Sequence, residues 1–144
     1  MDKKFKTVKK QKLSQPDFWK EVPKEEGVYW IYGLEPDGKP CLINRLFGSD
    51  PTGLLYVGQS KDLRERLRML WRTIQEDYLA KAHTFGKKYK HIKKARNKFP
   101  IHSLMVRFEL CSSAKNREAK VLEKYIAEFG EVPPFNSSSS ASIN

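Results

Sequence analysis

Two kinds of hydrophobic spacing alternate along the chain and predict strands and helices in turn. Runs of β-branched and aromatic residues at 27–32, 53–58 and 104–110 predict three β-strands. Gly, Pro, Asp and Ser crowd the stretch between the first two runs, which is typical of turns. We therefore expect these two strands to pair in antiparallel fashion. The insertion between them, 33–53, is expected to be irregular, with room for one short strand at 41–43.

Helical spacing follows the second predicted strand and returns near the end of the chain. Apolar residues recur on one helix face at Leu63, Leu67, Leu70 and Ile74. A short second helix is predicted at 87–97, before Pro100. The last helix has an inward face made of Ala119, Leu122, Ile126 and Phe129. The predicted order is β-β-α-α-β-α, an α+β fold with a small three-stranded antiparallel sheet flanked by helices.

The folded domain is predicted to occupy residues 25–136. Residues 1–24 hold eight lysines and little apolar periodicity. They are expected to form a basic N-terminal arm, either solvated or following the phosphates of a partner. Residues 137–144 are mostly serine and are expected to be disordered. The 144 residues are enough for one domain with a substantial core.

The net charge of the chain indicates what kind of partner it binds. Lys and Arg number 28 against 17 Asp and Glu, a formal net charge of +11. Such an excess favours a polyanion, with nucleic acid as the first candidate and an anionic membrane surface as the second. No apolar run approaches the roughly 18 residues of a membrane-spanning helix, and no secretory leader is recognisable. With only two cysteines, we expect a cytoplasmic protein that does not bind membranes.

The positive charge is concentrated in one predicted helical region. Residues 61–99 contain 13 Lys and Arg but only 4 Asp and Glu, too few for the cations to be neutralised by neighbouring acids. Aromatic residues are spread among these cations and suit base stacking or the core. The nucleic-acid-binding candidates are Lys61, Arg64, Arg68, Arg72, His83, Lys87, Lys88, Lys90, Lys93 and Lys94.

Three motifs in order resemble the GIY-YIG nuclease family. They are Gly27-Val28-Tyr29, then Tyr56-Val57-Gly58 with the arginine helix Lys61–Leu67, and finally Glu118–Ile126 closing at Pro134-Phe135-Asn136. The resemblance covers residues 26–136. In the Tyr56–Leu67 stretch the chain is most similar to the nuclease half of an excinuclease. The resemblance implies an endonuclease that hydrolyses phosphodiester bonds of duplex or single-stranded DNA with a single Mg²⁺ or Mn²⁺ ion.

The resemblance also implies roles for particular residues. Tyr29 would activate or orient the attacking water, with Tyr56 facing it across the first two strands. Arg66 would stabilise charge on the scissile phosphate, as a guanidinium suits a phosphate bidentately. Glu123 would hold the metal, and Asn136 would fasten the C-terminal segment to the site. Gly27 and Gly58 would be structural residues at the site.

The chain departs from the family pattern at several positions. The two tyrosines are separated by 26 residues in the chain, so 33–53 is expected to be an insertion that contacts DNA, contacts a partner or is neutral. Many members carry His or Tyr four residues after the helix arginine, where this chain has Leu70. The sequence therefore does not identify the group that assists Tyr29. His83 is one candidate, and the alternative is that His83 is a solvated surface residue. The position after the Tyr-Val-Gly run is often Lys but is Gln59 here.

The biological role also has several alternatives. The sequence fits a restriction enzyme, a mobile-element or phage nuclease, a repair nuclease or a degradative nuclease. RNA is an alternative substrate, because no residue in the sequence indicates whether a 2′-hydroxyl is recognised. A homodimer would be implied if the recognised sites are palindromic. The competing class is a catalytically silent DNA-binding module of the same fold, for which Leu70 is the one feature in favour.

Overall fold

A computed structural model describes residues 8–75 and 83–137 and shows an α+β domain built on one antiparallel sheet. Its four strands are β1 Val8–Lys12, β2 Gly27–Gly33, β5 Leu54–Ser60 and β6 Leu104–Leu110. They lie in the order β1-β6-β2-β5. The predicted fold class is confirmed, since the three expected strands form the β6-β2-β5 part of this sheet.

Alternation along the central strand β2 creates two separate cores. Tyr29 and Ile31 point to one face of the sheet, and Val28 and Trp30 point to the other, as successive residues of a strand must. Strand β2 is central in the sheet, and its residues are buried on both faces because other elements pack on each side. The two faces therefore carry different environments, and we call them the tyrosine face and the tryptophan face, after Tyr29 and Trp30.

An irregularity in β5 places one extra side chain on the tyrosine face. The register of β2 against β5 shifts between Ile31, opposite Tyr56, and Tyr32, opposite Leu54. Leu55 and Tyr56, although adjacent in sequence, both join the core of the tyrosine face. A bulge of this kind re-aims a side chain. Here it adds Leu55 to the face that Tyr56, opposite Ile31, already shares with Tyr29 by regular alternation.

Helices cover both faces of the sheet. On the tyrosine face lie α1 Leu63–Gln75 and α2 Thr84–His91, followed by α3 Lys93–Lys98. The tryptophan face is covered by α4 Ala114–Phe129, which ends at Gly130 in the left-handed conformation that a helix C-terminus favours. The predicted second helix at 87–97 is thus two short helices with a break at Ile92. The apolar pattern of α1 continues in the sequence through Tyr78 and Leu79, which lie outside the described residues.

The prediction of a basic arm at 1–24 is wrong for residues 8–24. Strand β1 pairs with β6 from Val8 opposite Glu109 to Lys12 opposite Met105. Leu13, Phe18 and Val22 then enter the core with no exposed surface. These apolar residues are too widely spaced to give a periodic pattern, so the sequence signal was weak. The domain therefore begins by residue 8 rather than at residue 25.

The predicted insertion contains a two-stranded hairpin, β3 Ile43–Arg45 and β4 Gly48–Asp50. It is anchored to α4 and the segment that follows. The amide of Phe47 donates to the Phe129 carbonyl at 3.0 Å, and the Arg45 guanidinium donates to the Val132 carbonyl at 2.9 Å. The buried Asp50 carboxylate accepts the Tyr125 hydroxyl at 2.9 Å. The insertion is thus folded onto the domain by specific contacts. Its first short strand begins at Ile43, two residues later than predicted.

Within the described ranges 8–75 and 83–137, no helix combines the length and the apolar character required to cross a bilayer.

Candidate active site

Tyr29 is the centre of a buried aromatic group on the tyrosine face. Its side chain has no exposed surface, and its hydroxyl lies 2.5 Å from Nε2 of His83. Tyr56 completes the group, because its ring centroid is 6.1 Å from that of Tyr29 and 5.7 Å from that of His83. Residues from β2, from β5 and from the N-terminus of α2 therefore meet at one point, although 54 residues separate Tyr29 from His83.

The hydrogen bonds of His83 define which ring nitrogen carries the proton. Nδ1 accepts the backbone amides of Phe85 at 3.0 Å and Gly86 at 3.4 Å and so caps α2. A nitrogen that accepts two N–H groups carries no proton of its own, which leaves the proton of the neutral ring on Nε2. His83 is therefore the donor to the Tyr29 hydroxyl. It is built to stabilise negative charge on Tyr29 rather than to remove the proton of Tyr29.

Burial sets the protonation states of this group. It lowers the pKa of His83 well below 6.5, and the charge of Arg66 adds to this effect, so the ring is neutral. Burial also raises the pKa of Tyr29 well above 10, and the neighbouring Tyr56 raises it further. The guanidinium of Arg66 acts in the opposite direction on the pKa of Tyr29. Tyr29 is therefore a neutral phenol in the unliganded protein, and additional positive charge is needed to make it a base.

Arg66 joins the tyrosines to the solvent-accessible cleft. It lies on α1 between the fully buried Leu63 and Leu67 and is itself half-buried. Its charge lowers the pKa of Tyr56, against the larger effect of burial, which raises it. The same side chain lines a cleft of about 590 Å³ together with Glu26, Gln59, Ser60, Lys61, Ser113, Lys115 and Asn116. A permanent cation in this place suits a phosphate oxygen.

Two glycines allow the close packing on which this arrangement depends. A Cβ at Gly58 would lie 2.5 Å from the Tyr29 hydroxyl and as close to its ring, so only a bare backbone fits there. A Cβ at Gly27 would collide with the carbonyl group of Glu109 and with the Leu63 side chain. Both glycines are thus required by packing, as the sequence motifs predict.

One wall of the cleft depends on a contact that sequence analysis missed. Ser113 precedes α4 in a left-handed conformation, with φ 54°, and makes no capping bond through its side chain. The Glu26 carboxylate, from the residue before β2, accepts the Ala114 amide at 2.9 Å instead. Negative charge at a helix N-terminus is favourable because the amides there lack partners. Glu26 therefore ties the start of α4 to the start of β2.

Two glutamates of α4 occupy different positions relative to the site. Glu118 lies four residues from the buried Ala114 and four from the buried Leu122, so it shares their sheet-facing stripe and is half-buried. Burial raises the pKa of Glu118, and its charge raises the pKa of Tyr56. Glu123 is exposed, and five residues of helix separate it from Glu118 by about 140° around the axis. The α4 carboxylate whose charge acts on Tyr56 is Glu118, which begins the C-terminal motif but is not the metal ligand that the resemblance implies.

Asn136 fastens the C-terminal segment to the outer edge of β5. Its side-chain oxygen accepts the Val57 amide at 3.0 Å, and its side-chain nitrogen donates to the Val57 carbonyl at 3.0 Å. The Phe135 amide donates to the Leu55 carbonyl at 2.9 Å, and the Phe135 carbonyl accepts the Lys88 ammonium at 3.1 Å. This is the fastening geometry that the resemblance implies for Asn136.

The predicted nucleic-acid-binding residues fall into three groups. Lys61 lines the cleft, and Lys87, Lys93 and Lys94 are exposed on α2 and α3. Others have protein partners: Arg64 donates to the Val22 carbonyl, Arg68 forms an ion pair with Glu65, Lys88 bonds Phe135, and Arg72 and Lys90 also interact within the protein. His83 has no exposed surface. Its assignment to a nucleic-acid-contacting surface is therefore wrong, because it is buried against Tyr29.

The described residues contain no group of three or more His, Cys, Asp or Glu side chains that could together hold a metal ion. Comparison of the chain with models of protein families, with curated proteins and with solved structures finds no match.

Proposed function

We propose that this protein is a divalent-metal-dependent DNA endonuclease of the GIY-YIG type, with Tyr29, Tyr56 and Arg66 at its active site. One observation supports this most. Three residues chosen from short motifs in different parts of the sequence meet on one sheet face, beside a cleft that Arg66 and two lysines line. A purely structural tyrosine core does not need an arginine whose charge acts on both hydroxyls.

Each residue has a physical task in such a reaction. Arg66 binds the scissile phosphate and stabilises the charge that develops on it. Tyr29 would orient the attacking water and, after releasing its own proton to solvent, would take up a proton from that water. His83 donates a hydrogen bond to the Tyr29 oxygen and so favours the phenolate form. His83 thus assists Tyr29 in place of the His or Tyr that many family members carry at the position of Leu70. Leu70 is fully buried in the core and offers no polar group.

One carboxylate of α4 would hold the proposed Mg²⁺ or Mn²⁺ ion. Such an ion is commonly held by one or two carboxylates, with phosphate oxygens and water completing its shell. Glu123 is the ligand implied by the resemblance, and the half-buried Glu118, whose charge raises the pKa of Tyr56, is a second candidate. When bound, the metal would add positive charge at the phosphate and lower the pKa of an attacking water. In the protein, the same charge would favour the ionised form of Tyr29.

DNA is the proposed polyanion, bound across the cleft and the exposed lysines of α2 and α3. Lys61 and Lys115 line the cleft together with Arg66, and Lys87, Lys93 and Lys94 are exposed on the helices that follow α1. Phosphate contacts of this kind give affinity without sequence specificity. A strong dependence of DNA binding on salt is therefore expected.

The alternative remains a DNA-binding module that does not cut. One observation favours it: Glu123, the expected metal ligand, is exposed and lies on a different side of α4 from Glu118, whose charge acts on Tyr56. The two proposals make opposite predictions about cleavage and the same prediction about binding.

Nicking of supercoiled plasmid tests the proposal directly. Wild-type protein should nick the plasmid with Mg²⁺ or Mn²⁺ but not with EDTA, and linear duplex, single-stranded DNA and RNA should be compared in parallel. Arg66→Ala should abolish nicking, whereas the matched control Arg68→Ala on the same helix should keep it. DNA binding should persist in both variants. Binding by wild-type protein without cleavage in any metal would instead establish the silent module.

A further inference from the structure

The tryptophan face carries a groove far from the proposed site of cleavage. A cavity of about 510 Å³ lies between α4 and the sheet, with Trp30 and Leu54 among its lining residues. A second cavity of about 380 Å³ adjoins it and shares Pro51, Thr52 and Arg107 with it. Trp30 points away from Tyr29, so the two cavities form one groove on the sheet face opposite the tyrosine pair.

The first cavity is positively charged. Its lining includes four cations, Arg107, Arg117, Lys120 and Lys124, against two carboxylates, Asp50 and Glu128. Arg117 already forms an ion pair with Glu109 at 3.2 Å, so Arg107, Lys120 and Lys124 are the cations that a ligand would meet. Asp50 is already satisfied by the hydroxyls of Tyr125 and Thr52. Lys120 and Lys124 are exposed and lie one turn apart on α4, and both line the cavity. Their combined positive charge exceeds the negative charge of Glu128, which lines the same cavity. The charge of this cavity is complementary to a row of phosphates.

Arg107 is fixed in the wall of the groove. Its guanidinium stacks on the Trp30 ring, with 4.3 Å from Cζ to the ring centroid, and Nη1 donates to the Tyr32 hydroxyl at 3.2 Å. Stacking immobilises a planar guanidinium while leaving N–H groups on its edge for another acceptor. Arg107 is only half-buried, so a phosphate can reach it from solvent. The arrangement is a preorganised anion contact rather than a loose surface arginine.

The second cavity has a different character. It is lined by Tyr32, Leu34, Pro40, Pro51, Thr52, Met105 and Arg107, which are mostly apolar or aromatic. A flat, weakly polar group such as a nucleobase suits this surface, and Tyr32 offers a ring on which it can stack. Phosphate-binding and base-binding cavities thus lie side by side with Arg107 at their boundary.

We infer that this groove binds a single strand of nucleic acid, with phosphates along Lys120, Lys124 and Arg107 and one base against Tyr32. A duplex would not fit the second cavity, because its bases are stacked and paired within the helix. The choice of a polynucleotide as occupant rests on the proposed nuclease function. The groove would hold a displaced single strand, on the face of the sheet opposite the cleft.

Fluorescence anisotropy of labelled dT12 with the full-length protein in EDTA tests this inference. The variant Lys120→Gln/Lys124→Gln should bind dT12 at least tenfold more weakly at about 0.1 M salt. It should also lower the slope of log K against log salt by about 1.4, since each lost single-strand phosphate contact contributes about 0.7. The matched control is Lys61→Gln/Lys115→Gln, which removes the same charge from the cleft. Equal or larger weakening by that control would overturn the inference.

A strand with one abasic site tests the base cavity separately. Wild-type protein should bind intact dT12 more tightly than dT12 strands that each lack one base. The preference should reach about fivefold or more when the missing base is the one that stacks in the cavity, as expected for the loss of one stacked base. Tyr32→Leu should remove that preference while circular dichroism shows an intact fold. Persistence of the preference in Tyr32→Leu would place the base elsewhere and refute the assignment.

Plasmid nicking distinguishes this inference from the proposed function. Lys120→Gln/Lys124→Gln should nick supercoiled plasmid at the wild-type rate when DNA is saturating, because neither lysine lines the cleft. If wild-type protein never nicks DNA but dT12 binding still depends on Lys120 and Lys124, the proposed function fails and the groove stands. If nicking is normal and dT12 binding ignores these lysines, the groove fails and the function stands.

Discussion

Protonation of His83 should control the stability of the protein below neutral pH. The ring is neutral in the folded protein because burial lowers the pKa of His83 well below its ordinary value of 6.5. In the unfolded chain the same ring takes up a proton near pH 6.5. The unfolded state therefore binds more protons as the pH falls. The stability contributed by the neutral ring is present above pH 6.5 and is lost below it.

The size of this effect follows from the pKa difference. Between about pH 7.5 and pH 5.5, proton uptake by one unfolded histidine lowers the free energy of unfolding by about 1.4 kcal/mol. Glu118 acts in the opposite direction at lower pH, because burial raises the pKa of its carboxyl. A variant that lacks only His83 keeps Glu118 and all other titrating groups. Subtracting its pH dependence from that of the wild-type protein therefore removes their contributions. The difference between the two proteins then reports His83 alone.

His83→Asn is the suitable variant. Asparagine is a good N-cap and can still accept the amides of Phe85 and Gly86, so α2 should persist. Its shorter side chain does not reach Tyr29, which leaves that hydroxyl without its donor at a cost of about 1–3 kcal/mol. Urea unfolding at about pH 7.5 and pH 5.5 should show a wild-type loss that exceeds the variant's by about 1.4 kcal/mol. Equal losses in both proteins would refute the argument.

Three further changes test the site. Gly58→Ala should destabilise the fold by about 1–3 kcal/mol in thermal melts and abolish nicking, since the new Cβ displaces Tyr29; a neutral outcome would contradict the packing. Asn136→Ala leaves two buried backbone groups unpaired and should cost about 2 kcal/mol in urea unfolding, and a loss no larger than that of the exposed control Asn116→Ala would count against this. Glu118→Gln and Glu123→Gln should both keep DNA binding, and the one that loses Mn²⁺-dependent nicking holds the metal.

The sheet and most helices could be predicted from the sequence because their signals are local. Alternating or periodic apolar residues mark β2, β5, β6, α1 and α4, and the structure places elements at all five. Strand β1 was missed because Val8–Lys12 contains three lysines and one apolar residue, so nothing in its composition indicates a strand. It is ordered by pairing with β6, a long-range contact that local propensity does not report.

The candidate site was predictable mainly where a motif carried it, and His83 was offered only as one alternative partner of Tyr29. Tyr29, Tyr56 and Asn136 belong to short motifs, and the structure gives each a specific contact. His83 belongs to no motif, and its bond to Tyr29 depends on how the chain returns to the sheet after α1. Glu118 was passed over because a glutamate on a helix is usually exposed, and only the packing of α4 shows that its stripe faces the sheet.

The side chain of Asn136 has a consequence for how copies of this protein meet. By pairing with both backbone groups of Val57, it occupies the outer edge of β5 as a strand would. The opposite edge of the sheet is β1, whose sequence is rich in lysine, a common protection against edge-to-edge association. Neither edge therefore offers a ready template for a second chain. A dimer formed to cut palindromic sites would have to join through helices or the β3–β4 hairpin, and the two sheets would stay separate.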